Sequence, residues 1–108
     1  MSTRAVIEFT NGNERFFVYR HFDGFPKNII PKIEKAIREG DKMNLDGARI
    51  GKFVTLFLTL HNQPADGNPG YEIASQIPDD VAYIYSVEAK NEIGSKWKVS
   101  YRQAGDDS

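Results

Sequence analysis

The sequence predicts an α+β fold: an antiparallel sheet of four or five strands with two helices on one face. Three observations carry this. Segments near both ends of the chain alternate apolar and polar residues, which is the strand period. The middle of the chain repeats its apolar residues at intervals of three and four, which is the helix period. The 108 residues, 40% hydrophobic and 27% charged, suffice for one core and leave no room for two domains.

The elements follow in order. From Arg4 to Thr10, Ala5, Ile7 and Phe9 point one way and Arg4, Glu8 and Thr10 the other, with Val6 the exception. Asn11-Gly12-Asn13 is a hairpin signal, because Asn and Gly tolerate positive φ. Glu14 to His21 is the return strand. A two-residue loop at Asn11-Gly12 or at Gly12-Asn13 places Phe16 and Val18 beside Ala5, Ile7 and Phe9. Phe17, Tyr19 and His21 then share the opposite face, which must be covered or line a site.

The first helix follows Pro26, with Ile29, Ile30, Ile33, Ala36 and Ile37 inward and Lys32, Lys35, Arg38 and Glu39 outward. Pro31 is expected in the first turn, where backbone donors have no partner, and Gly40 is expected as the C-terminal cap. Asp46 to Asn62 is ambiguous, since Phe53 to Leu60 also suits a buried strand. The stripe Arg49, Lys52, Thr55, Thr59, Asn62 has helical spacing and decides for a second helix, with Asp46 as N-cap. Gln63 to Gly70 is a loop, in which Asp66-Gly67-Asn68 suits a lid or a plain connection. Tyr71 to Ile77 suits a short strand, and Pro78-Asp79-Asp80 a turn. Val81 to Ala89 is a strand with Val81, Tyr83, Tyr85 and Val87 on one face. After a turn at 90–95 comes Lys96 to Arg102, with Trp97, Val99 and Tyr101 inward. The domain is expected to span residues 1–102, and 103–108 to form a disordered polar tail.

Composition removes several classes of function. With no cysteine there is no disulfide, thiolate nucleophile or cysteine-ligated metal. The start of the chain lacks the apolar run of a signal peptide, and Phe53 to Leu60 is too short to span a bilayer. A cytoplasmic location is the expectation. The net charge of −1 argues against nucleic acid as a partner. It divides unevenly: residues 1–54 carry 10 basic and 7 acidic side chains, and residues 55–108 carry 4 and 8. A basic N-terminal face, or charge pairing in a homo-oligomer, fits that division.

No phosphate loop, nucleophile elbow or His-Glu-x-x-His pair is present. The segment Tyr19-Arg20-His21-Phe22-Asp23-Gly24-Phe25-Pro26 is the main candidate. It sets a histidine beside an aspartate, the minimal acid–base pair, and gathers Arg20, His21 and Lys27 near a helix N-terminus. Against this, Asp23-Gly24 is ordinary turn chemistry, Asp23 suits a helix cap, and Pro26 and Pro31 each remove a backbone donor. A metal site of His21, Asp23 and His61 has no support from spacing. Tyr83, Tyr85, Trp97 and Tyr101 can stack bases, but their alternation with lysines reads as an inward face.

The opening Met1-Ser2-Thr3-Arg4-Ala5 and the octapeptide Tyr19 to Pro26 resemble a group of small phage, prophage and prokaryotic proteins. Their pattern is M-S/A-T-R, a short hairpin, Y-x-H-x-D-G-Y/F-P, then a helix. The match spans about the first 40 residues, and Phe22 and Phe25 stand where many members carry Trp and Tyr. The resemblance implies a small α+β protein of a mobile element and no known reaction. The leading expectation is thus a non-enzymatic, phage-type accessory protein that binds a host protein or a small anionic ligand. Arg20, His21, Asp23, Phe25 and Lys27 form its contact, without cofactor or metal. The alternatives are a small His21/Asp23 enzyme acting on a phosphate ester, and a purely structural or oligomeric module.

Overall fold

A computed structural model describes residues 3–45, 49–62, 70–90 and 97–104. Two strands, β1 (Ala5–Thr10) and β2 (Arg15–Arg20), form the N-terminal hairpin. Asn11 closes it: its Oδ1 accepts the N–H groups of Asn13 at 2.9 Å and Glu14 at 2.7 Å. Gly12, at φ +92°, supplies the left-handed step. Phe9 lies opposite Phe16 and Ile7 opposite Val18, the register of a turn centred on Gly12-Asn13. This is the second of the two loops the sequence allowed.

Helix α1 (Pro26–Lys42) starts with Pro26 at its first position and Phe25 as N-cap. Asp23 is therefore not the cap, and Phe25 offers no side-chain acceptor. Pro31 lies in the second turn rather than the first, so the helix forgoes one interior bond there. Gly40 is inside the helix, not its cap. The left-handed residue is Asn44, at φ 57°. Leu45 N–H donates to Gly40 O at 2.8 Å and Asn44 N–H to Asp41 O at 3.1 Å, a Schellman ending. The asparagine supplies the conformation that the sequence had assigned to glycine.

Helix α2 (Ile50–His61) confirms the helical reading of the ambiguous stretch. Ile50, Phe53, Val54, Leu56 and Phe57 are buried, and Arg49, Lys52, Thr55 and Thr59 face out. Arg49 is its N-cap, and Asp46 lies outside the described residues.

Three further strands complete the sheet: β3 (Tyr71–Ala74), β4 (Tyr83–Ala89) and β5 (Trp97–Gln103). The order is β3-β2-β1-β4-β5. The sheet is mostly antiparallel, but β1 and β4 pair in parallel, which the sequence did not predict. The cause is the path of the chain. After β3, residues 75–82 cross the sheet, so β4 enters beside β1 in the same direction.

That crossing covers the aromatic second face of the hairpin. Val6, Val81 and Ile84 form a small core there with Phe17, Tyr19, Ile77 and Ala104. Val81 thus belongs to this face and not to that of Tyr85. Tyr19 O–H donates to Asp80 at 2.9 Å, and Ala82 N–H to Arg4 O at 2.7 Å. The main core lies on the other face, where Ile29, Ile33, Ala36, Phe53 and Phe57 of both helices meet Ala5, Ile7, Phe9 and Val18. Trp97 stacks on Phe53 at 4.2 Å, while Tyr101 is 52% exposed rather than inward. Strand β5 includes Gln103, and Ala104 N–H bonds to Ala82 O, so these two residues belong to the sheet and not to the expected tail; residues 105–108 lie outside the described set.

The β2–α1 corner is held at Gly24. Its N–H donates to Thr3 O at 2.9 Å, and its carbonyl accepts the Tyr85 hydroxyl at 2.5 Å. A Cβ on Gly24 would stand 2.6 Å from Ala5 Cβ. Gly24→Ala is expected to destabilise the protein by about 1–3 kcal/mol, the usual cost of overpacking. Gly40→Ala meets its neighbours at 3.6 Å or more and gains helix propensity, so it is expected to stabilise by about 0.5–1 kcal/mol. Urea unfolding of the two variants beside the parent checks both signs.

Candidate functional site

Strand alternation decides where the octapeptide's side chains go. Arg20 is in phase with Phe16 and Val18, so it points to the helix face. His21 points to the other face. There its Nε2 lies 2.6 Å from Glu72 Oε1 on β3, and its ring meets Tyr19 edge-on. Asp23 takes a left-handed turn at φ 54°, and its carbonyl accepts Asn28 Nδ2 at 2.6 Å. The acid–base pair His21/Asp23 is therefore not assembled: the carboxylate on His21 is that of Glu72. Phe25, 42% exposed, leans on Tyr83 at 6.2 Å, and Lys27 is exposed on α1. The five residues named from sequence do not converge on one spot.

Arg20 stands apart from the others. It is only 9% exposed, yet no carboxylate pairs with it among the described residues. Its Nε–H donates to Phe22 O at 2.6 Å. Its guanidinium carbon lies 4.5 Å from the centroids of both the Phe22 and Tyr71 rings. The two aromatic rings offset part of the desolvation cost, and the in-plane Nη donors have no acceptor among the described residues. Gly70 makes room for them, since a Cβ there would lie 2.6 Å from Arg20 Nη1. The Tyr71 hydroxyl is buried with no hydrogen-bond partner. Burial raises its pKa and Arg20 lowers it, the first effect being the larger, so the phenol stays a donor.

The surroundings add positive charge. At the end of α2, Asn62 pins β3 by pairing its amide with the backbone of Tyr71, accepting Tyr71 N–H at 3.2 Å. This sets His61 beside α1, where its Nε2–H donates to Lys32 O at 2.8 Å. Burial pushes the His61 pKa down, and the charges of Lys32, Lys35 and Arg20 push it further; the Lys32 carbonyl opposes them. Lys32 and Lys35 are three apart on α1 and share a face. Neither has an ion-pair partner among the described residues.

Arg20, His61, Lys32, Lys35 and the Tyr71 hydroxyl thus make a basic cluster where β2, β3, α1 and α2 meet. Sequence reasoning named Arg20, and named His61 only in a metal set. No group of three or more metal-binding side chains exists among the described residues, and His61 is spent on Lys32. Lys32 and Lys35 were read as a solvated face, and Tyr71 as a strand residue. A broad groove of about 720 Å³ also runs along α2 past Glu14, Met43, Arg49 and Lys52. Its Thr55 and Thr59 hydroxyls already donate to helix carbonyls, so it offers less directed chemistry. The expected Asp66-Gly67-Asn68 segment lies outside the described residues.

No family model, no curated protein and no solved structure matches this chain. No helix among the described residues is long and apolar enough to cross a membrane.

His61 makes stability depend on pH. Its folded-state pKa lies below its ordinary value of 6.5, so below that value the unfolded chain binds more protons. Its contribution is complete above pH 6.5 and is lost as pH falls toward the folded-state pKa. Denaturant midpoints measured just below pH 6.5 are expected to drop with pH in the parent and to drop less in His61→Gln.

Proposed function

We propose that this is a non-enzymatic binding protein that captures a small anionic ligand at the Arg20 cluster. The observation that carries the reading is Arg20 itself, nine-tenths buried, with no acceptor for its Nη donors among the described residues. A buried charge without a counter-ion costs several kcal/mol unless something compensates it, and an incoming anion does so. The unspent hydroxyl of Tyr71 and the flanking Lys32 and Lys35 point the same way. Binding rather than catalysis is favoured because the carboxylate at His21 is that of Glu72, in an exposed ion pair, and not that of Asp23.

The resemblance of the octapeptide supports a phage-type accessory role in the cytoplasm of a host cell, in which the ligand is sequestered. The ring surface of Phe25, Tyr83 and Tyr101 favours a second reading, in which a host protein docks at the same corner. The two readings use different residues, so Phe25→Ala separates them: it weakens host-protein binding and leaves the anion site intact.

Thermal unfolding in phosphate, sulfate and citrate, against sodium chloride of equal ionic strength, tests the anion reading. The parent is expected to gain stability with ligand concentration by mass action. Arg20→Gln is expected to lower affinity about tenfold or more, as loss of charge-assisted hydrogen bonds does. A panel that leaves the parent's unfolding at its chloride value refutes the reading.

A further inference from the structure

We infer that the ligand of the Arg20 cluster is a dianionic phosphoryl group, either free phosphate or the terminal phosphate of a small monoester. This rests on the anion-binding reading above and narrows it. Three features of the cluster select the class.

The first is charge. Arg20, Lys32 and Lys35 bring three formal positive charges around His61, with no carboxylate paired to any of them among the described residues. One carboxylate or one phosphodiester neutralises a single charge. A phosphate monoester above its second pKa of about 6 brings close to two negative charges and three acceptor oxygens. It matches more of the field that the cluster creates.

The second is geometry. The guanidinium is held over two rings and fixed at Nε by Phe22 O, so its Nη groups act as a preset fork. A fork of this kind suits two oxygens of one group, whereas a lysine acts as a point charge. The Tyr71 hydroxyl is a donor without an acceptor, and Lys32 and Lys35 come from a different element. Donors on separate elements suit a tetrahedral group better than a planar carboxylate.

The third is His61. In the free protein burial, and then the adjacent cations, lower the ring's affinity for a proton. Its Nε2–H is committed to Lys32 O, which leaves Nδ1 as the site for a proton. A dianion beside these cations offsets most of their field at His61, which favours uptake of a proton by the ring.

The test compares methyl phosphate with dimethyl phosphate, two ligands of similar size that differ in charge and oxygen count. Inorganic phosphate and adenosine 5′-monophosphate report the source of the phosphoryl group. Calorimetry on the whole chain above pH 7 gives the affinities, and the imidazole NMR signals of the two histidines give the location. Methyl phosphate is expected to bind about tenfold tighter than dimethyl phosphate or better, the ratio that one further charge-assisted contact supplies. The His61 signal is expected to move toward its protonated position while that of His21, on the opposite face, stays in place. Lys35→Gln, an exposed position that leaves the core untouched, is expected to reduce the preference. It serves where Arg20→Gln fails to fold. A nucleotide that binds tighter than inorganic phosphate identifies the monoester as the source, and the reverse identifies free phosphate; both support the inference. Equal affinity for methyl and dimethyl phosphate overturns the dianion inference and leaves anion binding standing. Binding that moves the His21 signal and not that of His61 overturns the site. If none of these anions binds, both readings fall together.

Discussion

Gly24 lies so close to Ala5 that no side chain fits between them, and much of the molecule depends on that contact. The corner can reach it only because Asp23 turns left-handed and Gly24 has no Cβ. Once there, its N–H and carbonyl join the start of β1 to the Tyr85 hydroxyl on β4. Three strands and the entry to α1 are thereby set by four residues of chain. Phe25 becomes the N-cap by position, not by chemistry, since it has no acceptor to give. The direction of α1 then follows, and with it the placement of Lys32 and Lys35 opposite the end of α2. The same contact divides the octapeptide. Arg20 and Phe22 fall toward β3, and Phe25 falls toward β4, so residues adjacent in sequence serve two different surfaces.

The sequence made the elements legible where periodicity was local. The polar stripe on α2 outweighed the β-branched and aromatic residues of Phe53 to Leu60, because a buried helix must still show one wet side. The hairpin register followed from side-chain alternation. What stayed hidden was set by long-range path. Nothing in β1 or β4 announces a parallel pair, because pairing direction depends on how residues 75–82 cross the sheet. Tyr101 alternates correctly yet lies half exposed, because the helices do not reach that end of β5. The Gly40 expectation failed for a local reason: Asn44 competes for the left-handed position and wins, leaving glycine to ease the packing of α1 on Phe53 and Leu56.

The candidate site was half legible. Arg20 carried a signal that the hairpin register already contained. It is in phase with Val18 and Phe16, so an arginine was bound for the buried face. A charge on an apolar stripe is rarely there for stability alone. His61 stood at the end of a helix, with no sign of what it would face. Lys32 and Lys35 looked like any solvated pair, and their meaning comes only from α2 arriving beside them. Tyr71 is a strand residue by propensity, and its missing partner is visible only in three dimensions.

Stability and charge pull against each other at this cluster. Burying Arg20 beside His61 and two lysines, with no acid paired to them among the described residues, opposes folding. The protein meets that cost with the rings of Phe22 and Tyr71, the Asn62 clamp on β3, and a histidine whose pKa is lowered. Each of these devices tolerates the charge without neutralising it. A glutamate within reach of Arg20 would neutralise it and would also occupy the donors. Its absence among the described residues, together with three separate accommodations of the charge, fits the proposed anion site.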